Sequence, residues 1–162
     1  MARYNYAKVW IDAQVKAVKA LGEKVIVQKD NDGNIYIVLD ETRMFKVPGP
    51  YAFLDAGRFD QADAIKIWNG ANAANSFPAY FTGNARVITR NGKKSGTVLE
   101  VKGDNGVITW LDERYVKEYG GAENLVCRIS DKKYDPVILE SVNGPDLGLV
   151  CPVNMDVAMR TA

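Results

Sequence analysis

The chain has 162 residues, with 21 lysines and arginines against 20 aspartates and glutamates, a formal charge of +1 and no histidine. Its 47% hydrophobic and 25% charged residues are the balance of a globular chain with a buried core. The missing histidine excludes Ser-His-Asp and Cys-His triads, histidine-containing zinc sites and any imidazole pH switch.

From Tyr6 to Leu21, the residues Tyr6, Val9, Trp10, Ala13, Ala17, Ala20 and Leu21 recur at helical spacing, and Gly22 is placed to cap the helix C-terminus. Lys8, Lys16 and Lys19 lie close together on the remaining surface. They form either a solvated lysine face or a surface turned toward phosphates. After Gly22 the period falls to two: strands Val25 to Val27 and Ile35 to Leu39 flank Asp30-Asn31-Asp32-Gly33-Asn34, a hairpin signal. A third short strand, Met44 to Val47, stops at Pro48-Gly49-Pro50.

Residues 51–82 read as an irregular connector. Asp60 is placed to cap a short helix carrying Ala64, Ile65 and Trp68, after which Asn69 to Ser76 reads as a loop. Tyr51, Phe53, Phe59, Trp68, Phe77, Tyr80 and Phe81 crowd this connector, either pinning it to the core or leaving an exposed subset as a binding patch. Strands Ala85 to Thr89, Thr97 to Lys102 and Val107 to Leu111 follow as a meander. Asp112 then caps a helix, Glu113 to Tyr119, which ends at Gly120-Gly121. Strands Leu125 to Ile129, Val137 to Val142 and Leu147 to Val150 complete the pattern, with a turn over Asn143 to Asp146.

The expectation is one α+β domain over 1–155, with a first half at 1–50, the connector at 51–82, a second half at 83–155 and a tail at 156–162. Each half carries a helix followed by antiparallel strands, a pseudo-repeat that lives in the order of elements rather than in residue identity. Cys127 and Cys151 lie in apolar runs and read as free buried thiols. The N-terminus has no basic and apolar leader pattern, and no apolar run is long enough for a membrane span. A cytoplasmic protein that does not engage membranes is expected.

Of three groups of residues with charged or phosphate-like patterns, one carries candidate function. Arg86, Arg90, Lys93 and Lys94 occur without an intervening acid and suit either a phosphate backbone or the protection of a strand edge. Gly92-Lys93-Lys94-Ser95 lacks the spacing and helix of a phosphate loop. The carboxylates Asp40 and Glu41, and Asp55, Asp60 and Asp63, cluster along loops rather than converging from separate elements, so no catalytic centre, metal site or cofactor is expected.

Thr109 to Tyr119 resembles the strand leading into a tyrosine-bearing helix of a bacterial-type DNA sliding-clamp domain. Asp135-Pro136-Val137-Ile138-Leu139 and Gly148-Leu149-Val150-Cys151-Pro152-Val153 resemble that family's closing hairpin, and Ile35 to Met44 is similar to its first-half strand and turn. Cys151 stands where the family's terminal signature has its first methionine, and Leu39-Asp40-Glu41 where it has Thr-Asp-Gly. The resemblance implies a non-enzymatic protein of DNA replication or processing that binds a partner protein through Pro152, Val153 and Met155. DNA is a candidate second partner, met by Lys8, Lys16, Lys19, Arg86, Arg90, Lys93 and Lys94. Residues 83–112 also resemble the start of a KOW or SH3-like barrel. A competing expectation is a small phage or mobile-element protein that inhibits a host enzyme or defence complex by stoichiometric binding.

Overall fold

A computed structural model describes residues 4–20, 25–56, 63–142 and 144–155. Helix α1 (Ala7–Lys19) precedes strands β1 (Ile26–Lys29), β2 (Ile35–Asp40) and β3 (Arg43–Val47). Helix α2 (Ala64–Ala74) leads to β4 (Phe77–Arg90), β5 (Lys93–Gly103) and β6 (Ile108–Asp112). Helix α3 (Glu113–Glu118) leads to β7 (Leu125–Ile129), β8 (Val137–Ser141) and β9 (Asp146–Val150). The nine strands form one antiparallel sheet in the order β1-β2-β3-β9-β8-β7-β4-β5-β6. The fold is therefore α+β, as expected. No helix among the described residues is long and apolar enough to cross a membrane.

Alternation along the strands sorts side chains onto two faces. Ile35, Ile37, Phe45, Val47 and Leu139 join Val9, Trp10, Ala13 and Ala17 of α1 and Val116 of α3 in the main core. Tyr36, Met44, Ile138 and Leu149 point the other way, onto Ala64 and Trp68 of α2. On the α2 face a third small cluster gathers Val98, Trp110 and Met155.

The first and last thirds of the chain meet at the β3–β9 pair, where Arg43 faces Val150, Met44 faces Leu149 and Phe45 faces Gly148. A register shift at Leu139/Glu140 makes Leu147 an extra residue in β9 and leaves Gly148 on the main-core face. A Cβ at Gly148 would lie 1.9 Å from the Met44 carbonyl oxygen and 2.9 Å from the Tyr119 ring. Tyr119, fully buried at the end of α3, occupies that space. Its hydroxyl lies 2.7 Å from the Met44 carbonyl and 2.9 Å from that of Leu149, and its ring stacks on Phe45 at 4.3 Å.

Several local expectations agree with these elements, including the α1 face and the Asp112 cap, whose carboxylate accepts from the Arg114 N–H at 2.9 Å. The connector differs. Asn69 to Ala74 is helical rather than looped, because Trp68 and Ala71 bury against the sheet. The Asn75 side chain holds the helix end by donating to the carbonyls of Arg128 (3.0 Å) and Pro136 (2.7 Å). Strand β4 starts at Phe77, inside the expected connector, since Phe77, Pro78 and Ala79 pair with β7. The β4–β5 hairpin closes on a two-residue turn, Asn91 (φ 53°) and Gly92 (φ 75°), so β5 begins at Lys93 rather than Thr97. The caps expected from Gly22 and Asp60, the ring of Phe59, Leu21, Asn143 and the 156–162 tail lie outside the described residues.

The seam sets a prediction. Gly148→Ala forces the Met44 carbonyl or the Tyr119 ring to move and is expected to cost about 3 kcal/mol. Tyr119→Phe, which keeps the ring and removes the hydroxyl, is expected to cost about 1–3 kcal/mol. Urea unfolding followed by tryptophan fluorescence measures both. A Gly148→Ala midpoint equal to wild type would contradict the seam described.

Candidate functional site

The α2 face carries an open groove of about 160 Å³ where β2, β3 and β9 pass beneath the side of α2. Val38, Met44 and Leu149 form its floor by strand alternation, Ile67 of α2 and Pro136 form its walls, and Cys151 closes one end. Ile67 is 47% exposed, so the groove is open to solvent. Its volume is below the roughly 300–1,000 Å³ typical of small-molecule sites and suits a single apolar side chain.

The rim is the β2–β3 turn. The Asp40 carboxylate accepts from the Thr42 N–H (2.8 Å), the Thr42 hydroxyl (2.6 Å) and the Arg43 guanidinium (2.7 Å). Arg43 also donates to Glu118 of α3 and lies 4.6 Å over the Tyr115 ring, while Glu118 accepts a second ion pair from Lys16 of α1. One arginine on β3 thus ties the groove rim to both helices of the opposite face. The Cys151 N–H donates to the Thr42 carbonyl at 2.8 Å, and its thiol lies 3.3 Å from the Glu41 carbonyl.

Burial, with Asp40 adding to it, raises the Cys151 thiol above its ordinary pKa, so the thiol stays protonated at neutral pH. A protonated thiol in an apolar wall is a contact surface rather than an activated nucleophile. Cys151 is half-buried, which corrects the expectation of a buried thiol. Cys127 is fully buried, and burial raises its pKa strongly.

The structure distributes the expected nucleic-acid residues unevenly. Lys8 and Lys19 are exposed on α1, whereas Lys16 is held by Glu118. Arg86 is exposed and stacks 4.8 Å over Trp110. Lys93 and Lys94 are exposed beside the hairpin turn. Arg90 pairs in register with Lys93, and its side chain lies outside the description. The two cation groups sit on different parts of the fold, α1 over β2 and β3, the hairpin at the β6 end of the sheet.

Of the expected partner residues, Pro152 and Val153 are half-buried, and the Val153 N–H donates to the Trp110 carbonyl at 2.9 Å. Met155 is only 5% exposed and packs on Val98 and Trp110, so its side chain serves the fold. Among the connector aromatics, Trp68 is buried and Phe77 and Phe81 pack on the core, while Tyr51, Phe53 and Tyr80 are exposed. The sequence does not single out Val38, Met44, Ile67, Pro136 and Leu149 as one site, because separate elements contribute them. Comparison with protein-family models, curated proteins and solved structures returns no match.

Two measurements test this electrostatic description. Titration with a thiol reagent is expected to modify Cys151 alone in the native protein, slowly at pH 7 and faster as the pH rises past the ordinary thiol range. Cys127 should react only in denaturant, and equal native rates for both would contradict the burial described. The second measurement is stability against pH. Partial burial works to raise the carboxyls of Asp30, Asp40 and Asp112, but bonds outweigh it: Asn34 and Tyr36 on Asp30, Arg43 and Thr42 on Asp40, Arg114 on Asp112. All three are therefore held below the usual carboxylate range. Their stabilisation is complete above the unfolded value of about 3.9 and is lost as pH falls through the lower folded values. With no histidine to titrate, the urea midpoint is expected to be flat from about pH 8 to 5 and to fall below about 4, less steeply in Asp40→Asn.

Proposed function

We propose that this chain is a non-enzymatic binding protein that seats an apolar anchor residue of a partner peptide in the groove between α2 and the β3–β9 seam. In this reading it works as a domain of the sliding-clamp type works, in DNA replication or processing. The observation that carries the proposal is the groove itself: an open, apolar recess for one side chain, with a rim of hydrogen-bonding groups fixed by Arg43 and Asp40. Cys151, which lines the groove, directly precedes Pro152 and Val153, two of the residues that the clamp resemblance assigns to partner binding, and Val153 lines a separate recess with Ile88 and Val98.

The element order also supports it. The strand sequence β1-β2-β3-β9-β8-β7 runs outward symmetrically from the β3–β9 pair, and each half follows a helix that joins the same core, α1 before β1 and α3 before β7. That is the arrangement a pseudo-repeat of two helix-and-strand units would produce. On that helical face Lys8 and Lys19 remain open to a phosphate backbone.

Selection of random twelve-residue peptides on the immobilised protein tests the reading. Enriched peptides are expected to share an apolar anchor and to lose about tenfold or more in affinity, over 1.4 kcal/mol, in Ile67→Asp and after capping of Cys151 with N-ethylmaleimide. No enrichment, or binding indifferent to both changes, would sink it.

A further inference from the structure

We propose that the outer half of β4 is a second docking site, apart from the groove, which takes up an extended peptide segment of alternating apolar and acidic residues as an added strand. Strand β4 runs from Phe77 to Arg90, but β7 pairs only with Phe77, Pro78 and Ala79. From Tyr80 onward, no strand among the described residues occupies that side of β4, while β5 covers its other side to the hairpin tip. The cause is local. The chain before β7 turns away through Gly120, Gly121 and a 3-10 turn (Ala122–Asn124), and the β4–β5 register shifts between Phe81 and Ala85. Past the bulge at Thr82–Asn84, where Gly83 has φ 90° and the Asn84 N–H donates to the Thr82 hydroxyl, the side of β4 from Ala85 to the hairpin tip has no strand partner among the described residues and is a template for another strand.

The two faces of this edge differ, and the difference selects the occupant. Ala85 pairs with Leu99 and Val87 with Thr97, on the face that carries the main core. Val87 is 56% exposed there, and a groove of about 280 Å³ opens between Leu99, Val116 and the Gly120–Glu123 turn, with Glu113 and Lys117 along its α3 side. Arg86 faces the other way, over Trp110. An added strand therefore sends every second side chain toward Val87 and Leu99 and the intervening ones toward Arg86, which suits apolar and acidic residues in alternation.

Charge argues against a second copy of this chain. No acidic residue occurs between Asp63 and Glu100, a stretch that carries Arg86, Arg90, Lys93 and Lys94. Edge-to-edge pairing of two β4 strands would bring these cations together, whereas an acidic segment neutralises them. The free strand edge favours a polypeptide over a nucleic acid, which has no complement to a row of alternating N–H and C=O groups.

The test uses the full chain and a fluorescein-labelled peptide of alternating valine and glutamate. Saturable binding by anisotropy is expected, with slowed amide exchange confined to residues 82–90. Reversing Arg86, Lys93 and Lys94 to glutamate is expected to weaken binding by about tenfold or more. N-methylation of alternate peptide amides should abolish binding, because it removes the strand bonds and keeps the charge. Ile67→Asp should leave it unchanged, which separates failure here from failure of the groove reading. The proposal is overturned by equal binding of the N-methylated peptide, by loss of binding in Ile67→Asp, or by a single-stranded oligonucleotide binding where the peptide does not.

Discussion

The fit of Tyr119 over Gly148 is the contact on which the rest of the fold depends. Strands β3 and β9 are far apart in the chain, and their pairing makes one sheet out of the first and last thirds of the protein. The sheet closes there only if β9 offers no side chain beneath the Tyr119 ring, since the nearest backbone oxygen would be 1.9 Å from a Cβ. Burial of the ring supplies apolar contact, and the hydroxyl meets the carbonyls of both strands in a fully buried site. The floor of the α2-face groove, Met44 and Leu149, is the reverse side of the same strand pair, so the candidate site inherits its rigidity from the seam.

Irregular segments are attached to this frame by a few buried polar side chains. Gln14 of α1 is fully buried and donates to the carbonyls of Trp10 and Tyr51, while its own oxygen accepts from the N–H groups of Phe53 and Leu54. A stretch that neither pairs in the sheet nor forms an α-helix thereby has its backbone satisfied by one amide. At the end of α2 the half-buried Arg128 donates to the Asn75 carbonyl and to the side chains of Glu140 and Asn72. Such groups stabilise because every partner is present. Removing Gln14 would leave the Tyr51 carbonyl and the N–H groups of Phe53 and Leu54 without that bond.

The thiol in the groove is protonated, and the rim carboxylate of Asp40 is committed to Thr42 and Arg43. The remaining conspicuous features are an apolar recess, an unpaired strand edge and exposed cations. These are the means by which proteins hold partners: burying an anchor side chain, extending a sheet and matching charge.

The sequence by itself determined what local periodicity encodes. The buried face of α1, the alternation in β7, the Asp112 cap on α3 and the Asp30-to-Asn34 turn each depend on residues a few positions apart. Their side-chain spacing already states which face meets the core. Tertiary structure alone decided the helical state of Asn69 to Ala74, whose asparagines and glycine favour a loop until Trp68 and Asn75 are held by the sheet. It also decided that Lys16 is spent on Glu118, that Met155 is buried, and that Val38, Ile67, Pro136 and Cys151 share one recess. Those facts depend on residues brought together across the sheet. No periodicity within one segment carries them, because the free energy that selects them is released only when separate segments bury one another.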